Sequence, residues 1–175
     1  MIASRFALLA SLCFVTAACA EETLTVRLSD AAWNGKKVPA DQVCKKFGST
    51  NAASPALLIE AIPAGADALI VSFNDETYAP MDKGGHGVLR YAHNQSATAQ
   101  LVSVPGETDN LPAGVVAHIK HRGTGWSGTG GAYLPPCSGG RGNTYTLNVA
   151  AVKMQADAST VAETLATGKI TIGNY

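Results

Sequence analysis

The chain has 175 residues, is 46% hydrophobic, 15% charged and 6% aromatic, and carries 13 basic and 13 acidic side chains. That length fits one globular domain burying about two thirds of its unfolded surface, and excludes two large domains. A formal charge of zero without a Lys/Arg cluster excludes the electrostatic footprint of a nucleic-acid-binding protein.

Charged residues fall below the roughly 25% usual for soluble domains. The 18 glycines and 8 prolines call for many turns between short elements. Residues 1–20 read as an export signal: 1–5 (MIASR) form a short basic start, 6–15 are almost wholly apolar, and Ala18-Cys19-Ala20 places small residues where a signal peptidase reads. An apolar run of about ten residues is too short for a membrane span, which takes about 20 in a helix. Cleavage after Ala20 leaves residues 21–175 as the folded domain, periplasmic or secreted. The alternative reads Thr16-Ala17-Ala18-Cys19 as a lipoprotein box with Cys19 lipidated, although threonine is a poor choice at its first position.

In chain order, residues 24–28 (LTVRL) alternate apolar and polar side chains, the period of a strand with one buried face. Residues 57–62 and 68–73 are apolar runs separated by the turn signal Pro63-Ala64-Gly65, and the second has the composition of a central strand. Short strands are predicted at 88–91, 98–104 and 115–119, and a long one at 144–152. Residues 123–142 hold eight glycines and Pro135-Pro136, a composition that excludes regular elements and predicts a long ordered loop between folded segments. Thr160-Val161-Ala162-Glu163 fits a helical capping box and Gly168 a helix stop, so a short helix is predicted over 160–167, then a last strand at 169–172. The predicted fold class is mainly β: an antiparallel β-sandwich of two sheets with one short C-terminal helix and a long glycine-rich loop.

Of the four cysteines, Cys13 and Cys19 lie in the signal, which leaves Cys44 and Cys137. In an oxidising compartment that pair reads as one structural disulfide; the alternative is two buried thiols that never meet. Cys-x-x-Cys spacing is absent, so no metal is expected. Gly125-Trp126-Ser127-Gly128-Thr129 lacks the last glycine of a nucleophile elbow, and the glycine-rich stretch lacks the Gly-Lys-Ser/Thr ending of a P-loop. His118 and His121, three apart, fall on opposite faces of a strand and read as solvated side chains. Asp75 and His86 each stand at a strand edge. A carboxylate beside an imidazole orients it and favours its charged form, making a donor for an anionic ligand. The alternative is an aspartate capping a turn and an exposed histidine.

Longer stretches carry a collinear pattern. Residues 29–44 (SDAAWNGKKVPADQVC) run through a proline to a cysteine, and 48–57 (GSTNAASPAL) and Ile62-Pro63-Ala64-Gly65 follow. Then come Asp75-Glu76-Thr77-Tyr78-Ala79-Pro80, His86, Tyr133-Leu134-Pro135-Pro136-Cys137, Asn143-Thr144-Tyr145 and the closing Gly173-Asn174-Tyr175. In this order they resemble the motifs of the phosphatidylethanolamine-binding protein family, also called Raf kinase inhibitor-like proteins, in its bacterial branch. The resemblance implies a small surface pocket for anions such as phosphate or phospholipid headgroups, with Asp75, His86, Pro136 and Tyr145 as ligand-binding residues and Asn143 as an altered one. Three positions depart from the family pattern: its second aspartate is Thr77, its tryptophan Gly87 and the histidine of its third motif Asn143. An amide in place of a histidine keeps hydrogen bonding but removes a positive charge, so anion affinity falls or the preferred ligand changes.

The function expected is an exported ligand-binding protein of that family, not an enzyme, without a cofactor, whose partner is a small anionic or polar ligand. Two other classes compete with it. One is a periplasmic hydrolase with His86 as general base oriented by Asp75, for which no nucleophile is identified. The other is an interaction module with a vestigial pocket. In the expected pocket Asp75 faces His86 across a cleft floored by Pro136 and flanked by Asn143 and Tyr145, and keeps His86 protonated near neutral pH.

Overall fold

The computed structural model describes residues 22–175, so the export signal expected over 1–20, with its Cys19 alternative, lies outside the described residues. Nine strands follow among the described residues: β1 (Glu22–Thr23), β2 (Thr25–Leu28), β3 (Leu57–Glu60), β4 (Ala68–Asp75), β5 (Val88–Ala92), β6 (Thr98–Leu101), β7 (Val115–Ile119), β8 (Thr144–Met154) and β9 (Val161–Asn174). They form a six-stranded sheet in the order β1-β9-β8-β4-β5-β7 and a three-stranded sheet, β2-β3-β6. The pairing of β1 with β9 is parallel and the other pairings between strands are antiparallel. No helix among the described residues is long and apolar enough to cross a membrane.

The period-2 geometry of a strand explains why β4 reads as a nearly unbroken apolar run. Leu69, Val71 and Phe73 turn into the main core, whereas Ala68 and Ile70 join Val88 and Val152 in a second cluster on the opposite face. Both edges of β4 are bonded, to β5 and to β8, so neither face nor edge meets much water. The main core also takes Leu57 and Ile59 from β3, Leu101 from β6, and Leu147, Val149 and Ala151 from β8. Each such aliphatic side chain contributes roughly 1.5–3 kcal/mol when fully buried, so the two sheets are held by one shared cluster. Between β1 and β2 the chain crosses from the larger sheet to the smaller at Leu24, whose N–H donates to the Thr167 carbonyl at 2.8 Å.

The helix expected over 160–167 is instead the first half of β9. Asp157 Oδ1 accepts the N–H groups of Ser159 (2.9 Å) and Thr160 (3.2 Å), an Asx turn that sends the chain back along β8. From Met154 opposite Val161 to Thr144 opposite Asn174, β9 then pairs along β8 through three register shifts. The β-branched Val161, Thr164 and Thr167 suit that ladder and lose side-chain freedom in a helix. A short isolated helix cannot compete with backbone partners along a strand of that length. Gly168, which stops no helix, is where β9 passes closest to the crossing segment: a Cβ there would stand 2.7 Å from the Leu24 carbonyl oxygen and 2.8 Å from Val26 Cγ2.

Residues 123–142 form a long ordered loop, with one departure from expectation: a single helical turn, α1 (Thr124–Ser127), despite the glycine content. The loop is not peripheral, because Ala132, Tyr133 and Leu134 are fully buried.

The close approach at residue 168 is testable. Gly168→Val forces a branched side chain against backbone and is expected to destabilise by about 1–3 kcal/mol. Urea unfolding should show a lower midpoint at unchanged slope, with Gly168→Ala shifted less.

Candidate functional site

Asp75 ends β4 and stands directly opposite Tyr145 of β8, so the two side chains share a face. The Asp75 carboxylate is 3% exposed, and its position demands donors. Oδ1 accepts the N–H groups of Thr77 (3.0 Å) and Tyr78 (3.1 Å), and Oδ2 accepts Asn143 Nδ2 (2.7 Å). The first two bonds make the turn that leaves β4; the third ties that turn to the start of β8. Farther along the same segment, the Arg122 guanidinium donates to the carbonyls of Pro80 (3.1 Å) and Asp82.

His86 lies deeper. Its N–H donates to the Phe73 carbonyl at 3.1 Å and its carbonyl accepts from Leu134 N at 2.9 Å, which wedges it between the end of β4 and the glycine-rich loop. Nδ1 lies 2.8 Å from the Leu134 carbonyl oxygen. A carbonyl only accepts, so Nδ1 carries the proton and donates it. The ring meets Tyr145 edge-on at 5.3 Å and 90°. Burial lowers the His86 pKa from 6.5 to about 4, outweighing the upward pull of the Leu134 carbonyl and the Asp75 charge. The expectation of a protonated His86 near neutral pH is therefore corrected: desolvation wins and the ring is neutral. Gly87 explains how the loop comes so close. Its φ is +115°, and a Cβ there would fall 2.2 Å from the Ala132 carbonyl oxygen, which leaves no room for the tryptophan of the family pattern.

An open cleft of about 440 Å³ lies beside these residues, lined by Lys46, Asp75, Thr77, Tyr78, Arg141 and Asn143, with Met81, Cys137 and Ser138. Of the expected pocket residues, Asp75 and Asn143 line it. His86, Pro136 and Tyr145 line a separate space of only about 10 Å³ behind it, together with Phe73 and Tyr133. Asp75 and His86 thus do not face each other across one cleft; Tyr145, which pairs with Asp75 and touches the His86 ring, stands between them. Burial pushes the Tyr145 pKa up to about 12, so its hydroxyl keeps its proton. That hydroxyl accepts Cys137 N–H at 3.1 Å.

The cleft walls are cross-linked. Cys44 and Cys137 form a disulfide with Cα atoms 5.2 Å apart across a sequence separation of 93, and Cys44 N–H donates to the Pro136 carbonyl at 3.0 Å. Met81 and Leu134 pack on the disulfide. Glu107 Oε2 accepts Lys45 N–H at 2.8 Å and steadies the same wall.

Sequence reading missed Lys46 and Arg141, which bring positive charge to the cleft from two loops joined by the disulfide. The signal for Arg141 was legible as an isolated cation in Gly139-Gly140-Arg141-Gly142. Thr77 belongs to the site as well: its Oγ1 accepts Thr144 N–H at 2.9 Å, which leaves its own hydrogen to donate. His121 is buried rather than solvated, with Nδ1 accepting Gly123 N–H at 3.2 Å.

Two outcomes follow from this geometry. Because the unfolded His86 titrates near 6.5 and the folded one near 4, the unfolded chain binds more protons in that window, and stability is lost as pH falls through it. Relative to His86→Gln, wild type should lose up to about 2 kcal/mol between pH 7 and pH 5 in urea unfolding. Reduction of the disulfide should lower stability by roughly 4–5 kcal/mol in the chain-entropy treatment, measured as the shift in unfolding free energy with and without a dithiol.

No family model matches the sequence, and neither does any curated protein. Among solved structures, the chain is similar to CT736 of Chlamydia trachomatis, described as a phosphatidylethanolamine-binding protein homologue, with a TM-score of 0.51 and 17% identity over 88% of this chain and 97% of that one. It is also similar to YbcL of E. coli, described as a new member of the mammalian family of these proteins, with a TM-score of 0.51 and 21% identity over 89% and 98% of the two chains. The chain therefore has the phosphatidylethanolamine-binding protein fold, as the motif order implied.

Proposed function

We propose that the chain is an exported binding protein that holds a small anion in the cleft between its 44–47 and 136–143 segments. The observation that carries this reading is the convergence of Lys46 and Arg141 from two disulfide-linked loops, beside the Thr77 hydroxyl. The cleft's carboxylate, Asp75, is compensated internally and opposes an anion weakly. The two sheets act as the layers of a β-sandwich that holds these loops, and the disulfide suits an oxidising compartment outside the cytoplasm. The fold likeness to proteins described as phosphatidylethanolamine-binding points toward the same ligand chemistry.

In this reading His86 is a neutral prop beneath the site, not the anion's partner. The hydrolase reading is weaker, because His86 borders a space of about 10 Å³, too small for a substrate.

Calorimetry with sulfate, whose charge is constant over the neutral range, tests the proposal. Arg141→Ala should weaken binding about tenfold or more, the loss of one charge-assisted contact. Affinity should stay level from pH 6 to pH 8 and in His86→Gln, and should fall with added salt. Equal affinity in wild type and Arg141→Ala would remove the cleft as the binding site and favour an interaction module.

A further inference from the structure

We infer that the free edge of β6 takes up an extended, uncharged segment of another polypeptide as an added strand, in a groove that shares no lining residue with the anion cleft. The groove, about 520 Å³, has residues 98–102 along one wall and residues 91–94 and 113–115 along the other. β6 is bonded along one edge only, to β3. Where β2 meets β3, Ser29 N–H donates to the Ala56 carbonyl at 3.0 Å. In antiparallel pairing each residue turns both backbone groups to one neighbour, and the direction alternates along the strand. Ala56, Leu58 and Glu60 therefore face β2, while Leu57 and Ile59 face β6, where Leu101 and Ala99 answer them. Thr98 and Gln100 direct their N–H and carbonyl groups the other way, out from the sheet. Thr98 N–H is engaged by Ser96 Oγ at 3.4 Å, and the Val102 carbonyl accepts the Tyr91 hydroxyl at 3.4 Å. Gln100 keeps both groups for a guest, with no backbone partner on that side among the described residues.

The other edge strands carry devices that discourage pairing. β1 is two residues long, β2 presents Arg27, and β7 pairs with β5 through a bulge. β6, with the sequence TAQL, has no charge, no proline and no register shift. The lining fixes the class of guest. No Asp, Glu, Lys or Arg lines the groove, and His93 Nε2 is engaged by the Ser96 carbonyl at 2.9 Å, so a charged guest side chain would lose water without gaining a counter-ion. Ala99 and Leu101 turn to the core, whereas Thr98 and Gln100 are exposed. A guest residue opposite Gln100 therefore faces water, and its neighbours face the side of the buried Tyr91, Leu101 and Val115. The segment recognised alternates polar and apolar residues and runs antiparallel to β6, because one antiparallel residue satisfies both groups of Gln100 in a single exchanged pair.

The peptide acetyl-Ser-Val-Thr-Val-Ser-amide is the probe, read by calorimetry and by amide hydrogen exchange in NMR spectra of the protein. The expected result is that saturating peptide slows exchange of the Gln100 N–H. Gln100→Pro gives up an N–H that β3 does not use, and should weaken binding about tenfold or more. Methylating the nitrogen of the central threonine should weaken binding of wild type to the same extent, whereas methylating a valine nitrogen, which points away from β6, should leave it within a few fold. That comparison is made on the peptide and decides even if Gln100→Pro does not fold. Failure of the unmethylated peptide to bind, or equal affinity of the two methylated peptides, would overturn the inference. Slowing of Gln100 exchange on raising the protein concentration without peptide would give the edge to a second copy of the chain and overturn it as well.

Discussion

The Asp75 carboxylate, buried at the end of the central strand, is the constraint from which the cleft is built. A charge in that position is tolerable only with donors on both oxygens, and the donors come from two places: the turn just after β4 and the start of β8. Satisfying one charge therefore fixes where two segments sit. Thr77 adds a second tie between them by accepting Thr144 N–H. The open side of the cleft can be solvated and cationic because its floor is already electrically settled.

The three departures from the family pattern make one consistent set in this light. Gly87 removes a bulky side chain from the path of Ala132, and the glycine-rich loop moves in until Leu134 bonds His86 through both backbone and ring. That contact buries the imidazole and drives it neutral. Asn143, in place of a histidine, gives Asp75 an N–H donor without adding a titrating group, and Thr77 removes a second carboxylate from the wall. The positive charge of the cleft then rests on Lys46 and Arg141. The disulfide keeps their two loops together without loading the site with further polar contacts.

A division of labour results between two adjoining spaces. The inner one, around His86, Tyr145 and Pro136, is tightly filled and belongs to the core. The outer one, around Lys46, Arg141, Thr77 and Asn143, is open and carries both cations beside the apolar Met81 and the Tyr78 ring. Asp75 and Tyr145, paired across β4 and β8, form the partition.

The sequence by itself determined the β-rich class, most of the strands and the order of motifs that leads to the fold, because those depend on local alternation and turn residues; it left Cys44 and Cys137 as the candidate pair, which the structure joins. It misread residues 160–167, where a local capping pattern competed with an Asx turn at Asp157 and a partner strand that local sequence cannot display. Asp75 and Asn143, expected together, line one cleft, but the separation of His86 from them was not legible in the sequence. Only tertiary structure decided it, because burial is a property of what packs on a side chain: Leu134, distant in sequence, covers His86, while Lys46 and Arg141, farther apart still, line one open cleft.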